Sequence, residues 1–347
     1  MENTMIKFMS GDLLRANVEA LVNTVNTVGV MGKGIALQFK QAFPANFVAY
    51  EKAAKREEII PGKMHVFETG QFTNPRYIIN FPTKRHWRGK ARIEDIQAGL
   101  QDLIRVLREK QIRSIAIPPL GCGFGGLDWN EVRPIILTAL EQVPDVDVWL
   151  YAPEGAPEAE KMTVGTNRPG LTVGRAALIE LIEKYALPGY RLTQIEIQKL
   201  AYFLQAAGEP LRLDYARNQF GPYAEKLHFV IQRLNGHYLS GYGDRSNASN
   251  IYLLPNAKEE AEQFLKDHPD TQEHLEKVNN LIDGFETPYG MELLATVHWL
   301  AQEDPSVKND YKAAVHGFET WNQRKREHFK PEHIKTAWER LKQQGWI

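Results

Sequence analysis

Two hydrophobic periods alternate through the front half of the chain. Short strand-like runs fall at Met5–Met9, Ala20–Val25, Met64–Glu68, Tyr77–Phe81, Ser114–Pro118 and Val146–Tyr151. Between them, stretches with helical spacing lie at Gly34–Ala42, Ala45–Lys55, Ile93–Lys110 and Trp129–Gln142. The clearest stripe is Ile93, Ile96, Leu100, Leu103, Ile104 and Leu107, whose three- and four-residue steps place them on one buried helical face. Strands alternating with helices predict an α/β sandwich built around a largely buried sheet.

The alternation stops after Tyr151. Pro153, Gly155 and Pro157, then a polar run through Pro169 and Gly170, interrupt both periods and mark a domain boundary. The expected division is a first domain over 1–152, a linker over 153–175 and a second, mainly α-helical domain over 176–347. In that second domain Thr193 and Glu196 have capping-box spacing ahead of Ile197, Leu200, Ala201 and Leu204, and Gly208 with Pro210 stops the helix. Further amphipathic stretches lie at Glu225–Leu234, Ala257–Asp267, Thr271–Gly284, Met291–Gln302 and Pro331–Gln344.

Composition narrows the classes. With 347 residues, 43% of them hydrophobic and 24% charged, the chain is an ordinary globular protein of two domains. One cysteine, Cys122, excludes an internal disulfide and a Cys-rich zinc site, and suits a reducing cytoplasm. The amino-terminal stretch has no basic region leading into an apolar core and is not expected to be a signal peptide. No run approaches the ~18 apolar residues that span a bilayer, so a cytoplasmic protein with no membrane partner is expected. The net charge of −1 hides a mild asymmetry: residues 1–152 carry 19 Lys and Arg against 16 Asp and Glu, the remainder 23 against 27.

Three loops in the front half follow strands. In the first, Gly11-Asp12-Leu13, the carboxylate of Asp12 can accept from an adenine amino group or a ribose hydroxyl, or can cap a helix. The second runs from Asn23 and Asn26 through Met31, Gly32, Lys33 and Gly34 into a helix at Ile35. Its glycines admit close backbone approach, and amides at a helix start favour anions such as a diphosphate. The Asn23 and Asn26 amides can read a base or sugar hydroxyl, or simply stabilise a turn. The third loop, Pro118–Leu127, places Gly121, Gly123, Gly125 and Gly126 around Cys122 and Phe124. So many glycines are costly to order, which favours a ligand cradle over a plain connection. Neither glycine loop has P-loop or dinucleotide-fingerprint spacing. Cys122 has no histidine at a telling spacing and is not read as a nucleophile.

This ordered set of motifs resembles the macrodomain family over nearly all of residues 1–152. The resemblance implies a three-layer α/β/α sandwich with a mixed sheet that binds ADP-ribose. Asp12 and Leu13 would then meet the adenine. Asn23, Asn26, Met31, Gly32, Lys33, Gly34 and Ile35, with Gly121, Cys122, Gly123, Phe124 and Gly125, would hold the remainder of the ligand. The stretch from Met31 to Lys40, together with Phe81-Pro82-Thr83-Lys84, is similar to the branch that contains terminal ADP-ribose glycohydrolase and the DarG-type DNA ADP-ribosyl glycohydrolases. That branch implies that Lys84 is catalytic, that the substrate is ADP-ribose on thymidine in DNA, and that the partner is a DarT-type ADP-ribosyltransferase toxin. No cofactor and no metal are implied.

The chemistry is coherent in itself. Glycosidic cleavage at the ribose anomeric carbon passes through an oxocarbenium-like state, which a lysine can attack or orient. As a nucleophile the lysine must be neutral, and Arg85, Arg88, Lys90 and Arg92 are close enough in sequence to lower its pKa if they are also close in space. On texture alone, Lys84 could equally open a solvated basic loop or contact phosphate. One departure stands out: an Asp that assists release of a lysine-linked intermediate in the human branch member is matched here by Gly125, and Asp128 reads as a helix cap.

Arg85, Trp87 and Arg88 combine positive charge with an aromatic ring, as single-stranded nucleic acid requires, or form a solvated loop with a folded-back ring. In the back half, Lys199–Phe203 and Asn218–Tyr223 resemble a helical domain of toxin-neutralising proteins, which implies toxin binding there. The expected function is thus a DNA ADP-ribosyl glycohydrolase fused to a toxin-binding domain. A reader of ADP-ribose without hydrolysis, or a hydrolase of ADP-ribosylated protein carboxylates, are the competing expectations.

Overall fold

The computed structural model describes residues 6–186, 189–246 and 248–347; Met5, the first residue of the first expected strand, lies outside them. The chain divides into two compact units. One comprises residues up to Asn167 with the short segment 244–247; the other comprises Arg168–Gly243 and Ala248–Ile347.

In the first unit β1 (Ile6–Met9), β2 (Ala20–Asn26), α1 (Gly34–Ala42), α2 (Pro44–Lys55), β3 (His65–Glu68), β4 (Tyr77–Lys84), α3 (Ile93–Glu109), β5 (Ser114–Ile117), α4 (Trp129–Leu140) and β6 (Asp147–Tyr151) follow in order. The strands form one mixed sheet ordered β1-β6-β5-β2-β4-β3, parallel throughout except for β3. Strand alternation sorts the core into two faces. Ala20, Val22, Ile79, Phe81, Ile115 and Ile117 face the apolar stripe of α3 and the buried side of α4. Leu21, Ile78 and Ala116 face the other way, against Phe39 of α1 and the short 3-10 turn at Leu13–Arg15. This is the expected three-layer macrodomain sandwich.

β4 runs three residues past the expected Phe81. Pro82 reads as a strand stop because it cannot donate to a ladder. Here the strand continues at the rim of the sheet, where Val25 pairs with Pro82 and a register shift brings Asn26 opposite Lys84. Gly99 in α3 lies under the Phe81 ring, and a Cβ there would stand 2.3 Å from it. Gly99→Ala is therefore expected to cost about 1–3 kcal/mol by overpacking, read as a lower denaturant midpoint.

The polar run expected as a linker is divided between the units. Gly165 donates to the Gln41 carbonyl and Arg15 reaches the Lys161 carbonyl, which draws residues up to 167 onto the first unit. Then α5 (Val173–Tyr185) begins inside the expected linker. Its residues Ala176–Ile182 are all buried, Glu180 among them, so its apolar positions trace no single stripe.

The second unit continues with α6 (Gln194–Ala207), the hairpin β7 (Ala216–Asn218) and β8 (Gly221–Tyr223), α7 (Leu227–Leu234), and the short pair β9 (Leu239–Ser240) and β10 (Tyr252–Leu253). It ends with α8 (Ala257–Leu265), α9 (Pro269–Ile282), α10 (Pro288–Glu303), α11 (Tyr311–Trp321), α12 (Gln323–His328) and α13 (Pro331–Gln343). The Thr193 capping box is present: Thr193 accepts from the Glu196 amide, and the Glu196 carboxylate accepts from the Thr193 amide. No helix among the described residues is long and apolar enough to cross a membrane.

Candidate functional site

The first-unit loops share one location because parallel strands share a direction. The carboxyl ends of β1, β2, β4 and β5 lead respectively into Asp12, the loop ending at Gly34, Lys84 and the loop from Pro118. Ligands of open α/β sheets bind in such a crevice.

Asp12 takes the capping role. Its Oδ1 accepts from the Leu14 amide at 2.9 Å and caps the short helix. Its buried Oδ2 accepts no hydrogen bond from the described residues, although the Arg15 guanidinium stands 3.5 Å away. Burial raises the Asp12 pKa above the usual carboxylate value, partly opposed by the Leu14 amide and by Arg15. An acceptor without a hydrogen-bond donor suits a group such as an amino N–H. Leu13 beside it is core.

The second loop is held by its own asparagines. Asn26 Oδ1 accepts from the amides of Val28 and Val30, and its Nδ2 donates to the Val30 carbonyl at 2.6 Å. Tyr50 donates to the Asn26 carbonyl from below. Asn23 is wholly buried: it donates to Asn80, which in turn exchanges hydrogen bonds with Asn46, and its own Oδ1 accepts none from the described residues. Met31 is buried against Asn23, and Ile35 is partly buried. Gly34 opens α1 at φ +61°, where a side chain would be strained and would also meet Phe124 at 2.9 Å. Its N–H donates to the carbonyl of Asp244, in the short segment that clusters with this unit. The second loop thus offers a ligand its backbone, Gly32 and Lys33 included, more than its asparagine side chains.

The third loop meets it through Phe124. That ring is 53% exposed, and the Lys33 ammonium sits 4.2 Å from its centroid. Cys122 points to the Leu120 carbonyl, with burial pushing its thiol up to about 11, so it carries little thiolate at neutral pH. A Cβ on Gly125 would stand 2.3 Å from the Gly121 carbonyl oxygen and 2.9 Å from Ala91. No carboxylate can occupy that position in this loop, while Asp128 accepts from the Asn130 amide as the α4 cap.

Lys84 lies between these loops. Its Nζ donates to the carbonyls of Trp87 and Phe124, both at 3.1 Å. Its backbone carbonyl accepts from Thr27, whose hydroxyl donates to the Arg85 carbonyl at 2.6 Å. The Lys84 pKa lies below the ordinary lysine value, and the cause is burial. Two of the four cations expected to lower it are engaged elsewhere: Arg85 pairs with Asp95, and Arg88 lies over the Trp87 ring at 4.4 Å. Trp87 is 45% exposed and stacked on His86.

Thr27, Tyr50 and Asp95 were not singled out in the sequence. Only Asp95 carried a signal, as an acidic residue in the first turn of α3.

The sequence model of the Macro domain family matches residues 22–136. A DNA ADP-ribosyl glycohydrolase of Thermus aquaticus is 49% identical over 341 residues, covering 98% of this chain and 94% of that protein. One of Mycobacterium tuberculosis is 42% identical over 356 residues, covering 97% and 99% respectively. A DNA ADP-ribosyl transferase–DNA ADP-ribosyl glycohydrolase fusion protein of Thermosipho africanus is 33% identical over 163 residues, covering 43% of this chain and 42% of the fusion. With identity of this order sustained across both units, the chain belongs to the DNA ADP-ribosyl glycohydrolase family.

Proposed function

We propose that this chain cleaves the N-glycosidic bond joining ADP-ribose to thymidine in single-stranded DNA, and that it is the antitoxin of a DarT-type ADP-ribosyltransferase toxin. The observation that carries the reading is the Lys84 amine, held by two backbone carbonyls between glycine loops and flanked by the exposed rings of Trp87 and Phe124. Family membership supports the reaction, and the fusion relative, whose name couples a transferase to a glycohydrolase, supports the partner.

In the proposed reaction the bond from the ribose anomeric carbon to the thymine nitrogen breaks, water supplies the hydroxyl to the sugar, and the base regains a proton. Two N–H groups of Lys84 are committed to carbonyls, so one position on nitrogen remains for the sugar: a lone pair when neutral, a third N–H when charged. Burial shifts the balance toward the neutral form. The third loop contributes no carboxylate at Gly125 to assist a second step. Asp12 would take the adenine amino group. The backbones of the loops through Met31–Ile35 and Gly121–Gly125 would take the diphosphate and distal ribose. Trp87 and Arg88 would take the flanking strand by stacking and charge. The helical unit would bind the toxin.

The test is a single-stranded oligonucleotide carrying ADP-ribosyl-thymidine, incubated with the full chain and resolved by gel shift. Release of unmodified oligonucleotide is the expected result. Tight ADP-ribose binding with the modification intact would leave a reader, and cleavage of ADP-ribosyl-glutamate peptides alone would leave a protein hydrolase.

A further inference from the structure

We propose, building on the hydrolase reading above, that Arg85 is a positioning residue: clamped by Asp95, it fixes the turn whose carbonyl holds Lys84. Arg85 Nε donates to one oxygen of Asp95 at 3.2 Å and an Nη to the other at 3.0 Å, a two-point fork that holds a plane as well as a distance. Asp95 is 5% exposed, in the first turn of α3, where the helix amides favour its charge. The clamp therefore ties the end of β4, through a guanidinium that is itself half-exposed, to a buried carboxylate of a packed helix.

What it ties down is the short excursion between β4 and α3. Trp87, two residues after Arg85, supplies one of the two carbonyls that hold the Lys84 amine. The amide of Ala91, at the far end, donates to the Gly125 carbonyl in the same glycine loop that supplies the second. Gly89 donates to His86, and the Arg88 amide donates to the His86 ring, closing the turn locally. Apart from these bonds and Thr27 on the Arg85 carbonyl, the Arg85–Asp95 fork is the link the described residues show between this turn and a packed helix side chain. Releasing it leaves the Trp87 carbonyl free to drift, and a misplacement of the order of 1 Å in a reacting group costs about 100-fold in rate. A lysine at this site keeps the charge but not the fork. That separates positioning from a simple contact with DNA phosphate, which lysine serves as well.

The experiment uses the full chain with Arg85→Lys, Asp95→Asn and the double variant. Steady-state cleavage of the ADP-ribosylated oligonucleotide is measured alongside ADP-ribose affinity by calorimetry and the rate of Lys84 acylation by mass spectrometry. Each single variant is expected to lower kcat about 100-fold with KM and ADP-ribose affinity unchanged, and the double variant to be no worse than either. Lys84 acylation should accelerate in all three as the amine loses its fixed acceptor. Wild-type kcat in Arg85→Lys, or a loss appearing only as a higher KM, would overturn the proposal in favour of a phosphate contact. Should wild type itself not cleave DNA, the hydrolase reading falls separately. The acylation rates then decide the positioning role, equal rates in all four proteins overturning it.

Discussion

Lys84→Ala is expected to lower cleavage of ADP-ribosyl-thymidine about 1,000-fold, the loss typical of removing a group aimed at developing charge, while ADP-ribose affinity is retained. The expectation follows from geometry. Alanine removes the one atom that both glycine-loop carbonyl and turn carbonyl hold in the crevice, without touching Asp12 or the backbone of either loop. Single-turnover cleavage beside calorimetric ADP-ribose binding checks both halves. Retained cleavage would remove Lys84 from the chemistry, and lost binding would make it a ligand-binding group only. Lys84→Arg then assigns the role: arginine keeps the donors and the charge but not the nucleophile. Activity in that variant marks a hydrogen-bonding lysine. Its absence, with a lysine–sugar adduct trapped by borohydride in wild type, marks a covalent one.

The largest expected stability effect lies in the helical unit. Glu292, 2% exposed on α10, accepts a bidentate pair from Arg324 and a 2.7 Å bond from the fully buried Lys325, which also donates to Thr296. Nearby, buried Lys199 donates to the Pro222 carbonyl and fixes the β7–β8 hairpin. Glu292→Gln leaves these cations without their carboxylate and is expected to cost about 3–5 kcal/mol, the range found when one partner of a buried pair is removed. For a unit of this size that is a fall of roughly 10 °C in Tm, read as thermal unfolding of the full chain. Lys325→Met leaves Glu292 paired with Arg324 and should cost less; equal losses would show that burial volume, not charge, is what matters.

The same cluster sets a pH dependence. Burial pushes Lys199 down to about 7, helped by the Lys325 charge and opposed by Glu292. Burial likewise pushes Lys325 down to about 8 against the pull of Glu292. Unfolded lysine titrates near ~10.4, so between about pH 7 and that value the unfolded chain binds more protons than the folded one. The contribution of these two lysines to stability therefore rises with pH across that window and is lost below it. Urea midpoints at its two ends check the sign, and Lys199→Met should flatten the slope.

Much of the architecture was legible because it is periodic. β2, β4 and β5 alternate between two buried faces, and α3 keeps one apolar stripe, so local spacing alone located them within a few residues. Where spacing carries no phase, the reading stopped. Only the first three residues of α5, Val173–Arg175, fall in the expected linker, and Pro82 hid the last residues of β4 because its tolerance depends on the rim pairing with β2. The site divides the same way. Its three glycine loops and Lys84 were visible as residue types in order. The burial of Asn23, the engagement of Asn26 with its own loop and the Arg85–Asp95 clamp were not, because each depends on which distant backbone or helix a side chain meets.

The sequence by itself determined the sandwich, the glycine loops at the strand ends and the helical character of the second unit, and it offered Lys84 as a candidate. Only the tertiary structure decided how that residue is held. The Lys84 amine is fixed by carbonyls 3 and 40 residues away, and its pKa is lowered by burial rather than by neighbouring cations. Gly125 has no room for a side chain because the Gly121 carbonyl stands where its Cβ would be. The reason is physical: periodicity is a property of the local chain, whereas desolvation, hydrogen-bond partnership and steric exclusion are set by atoms that only folding brings together.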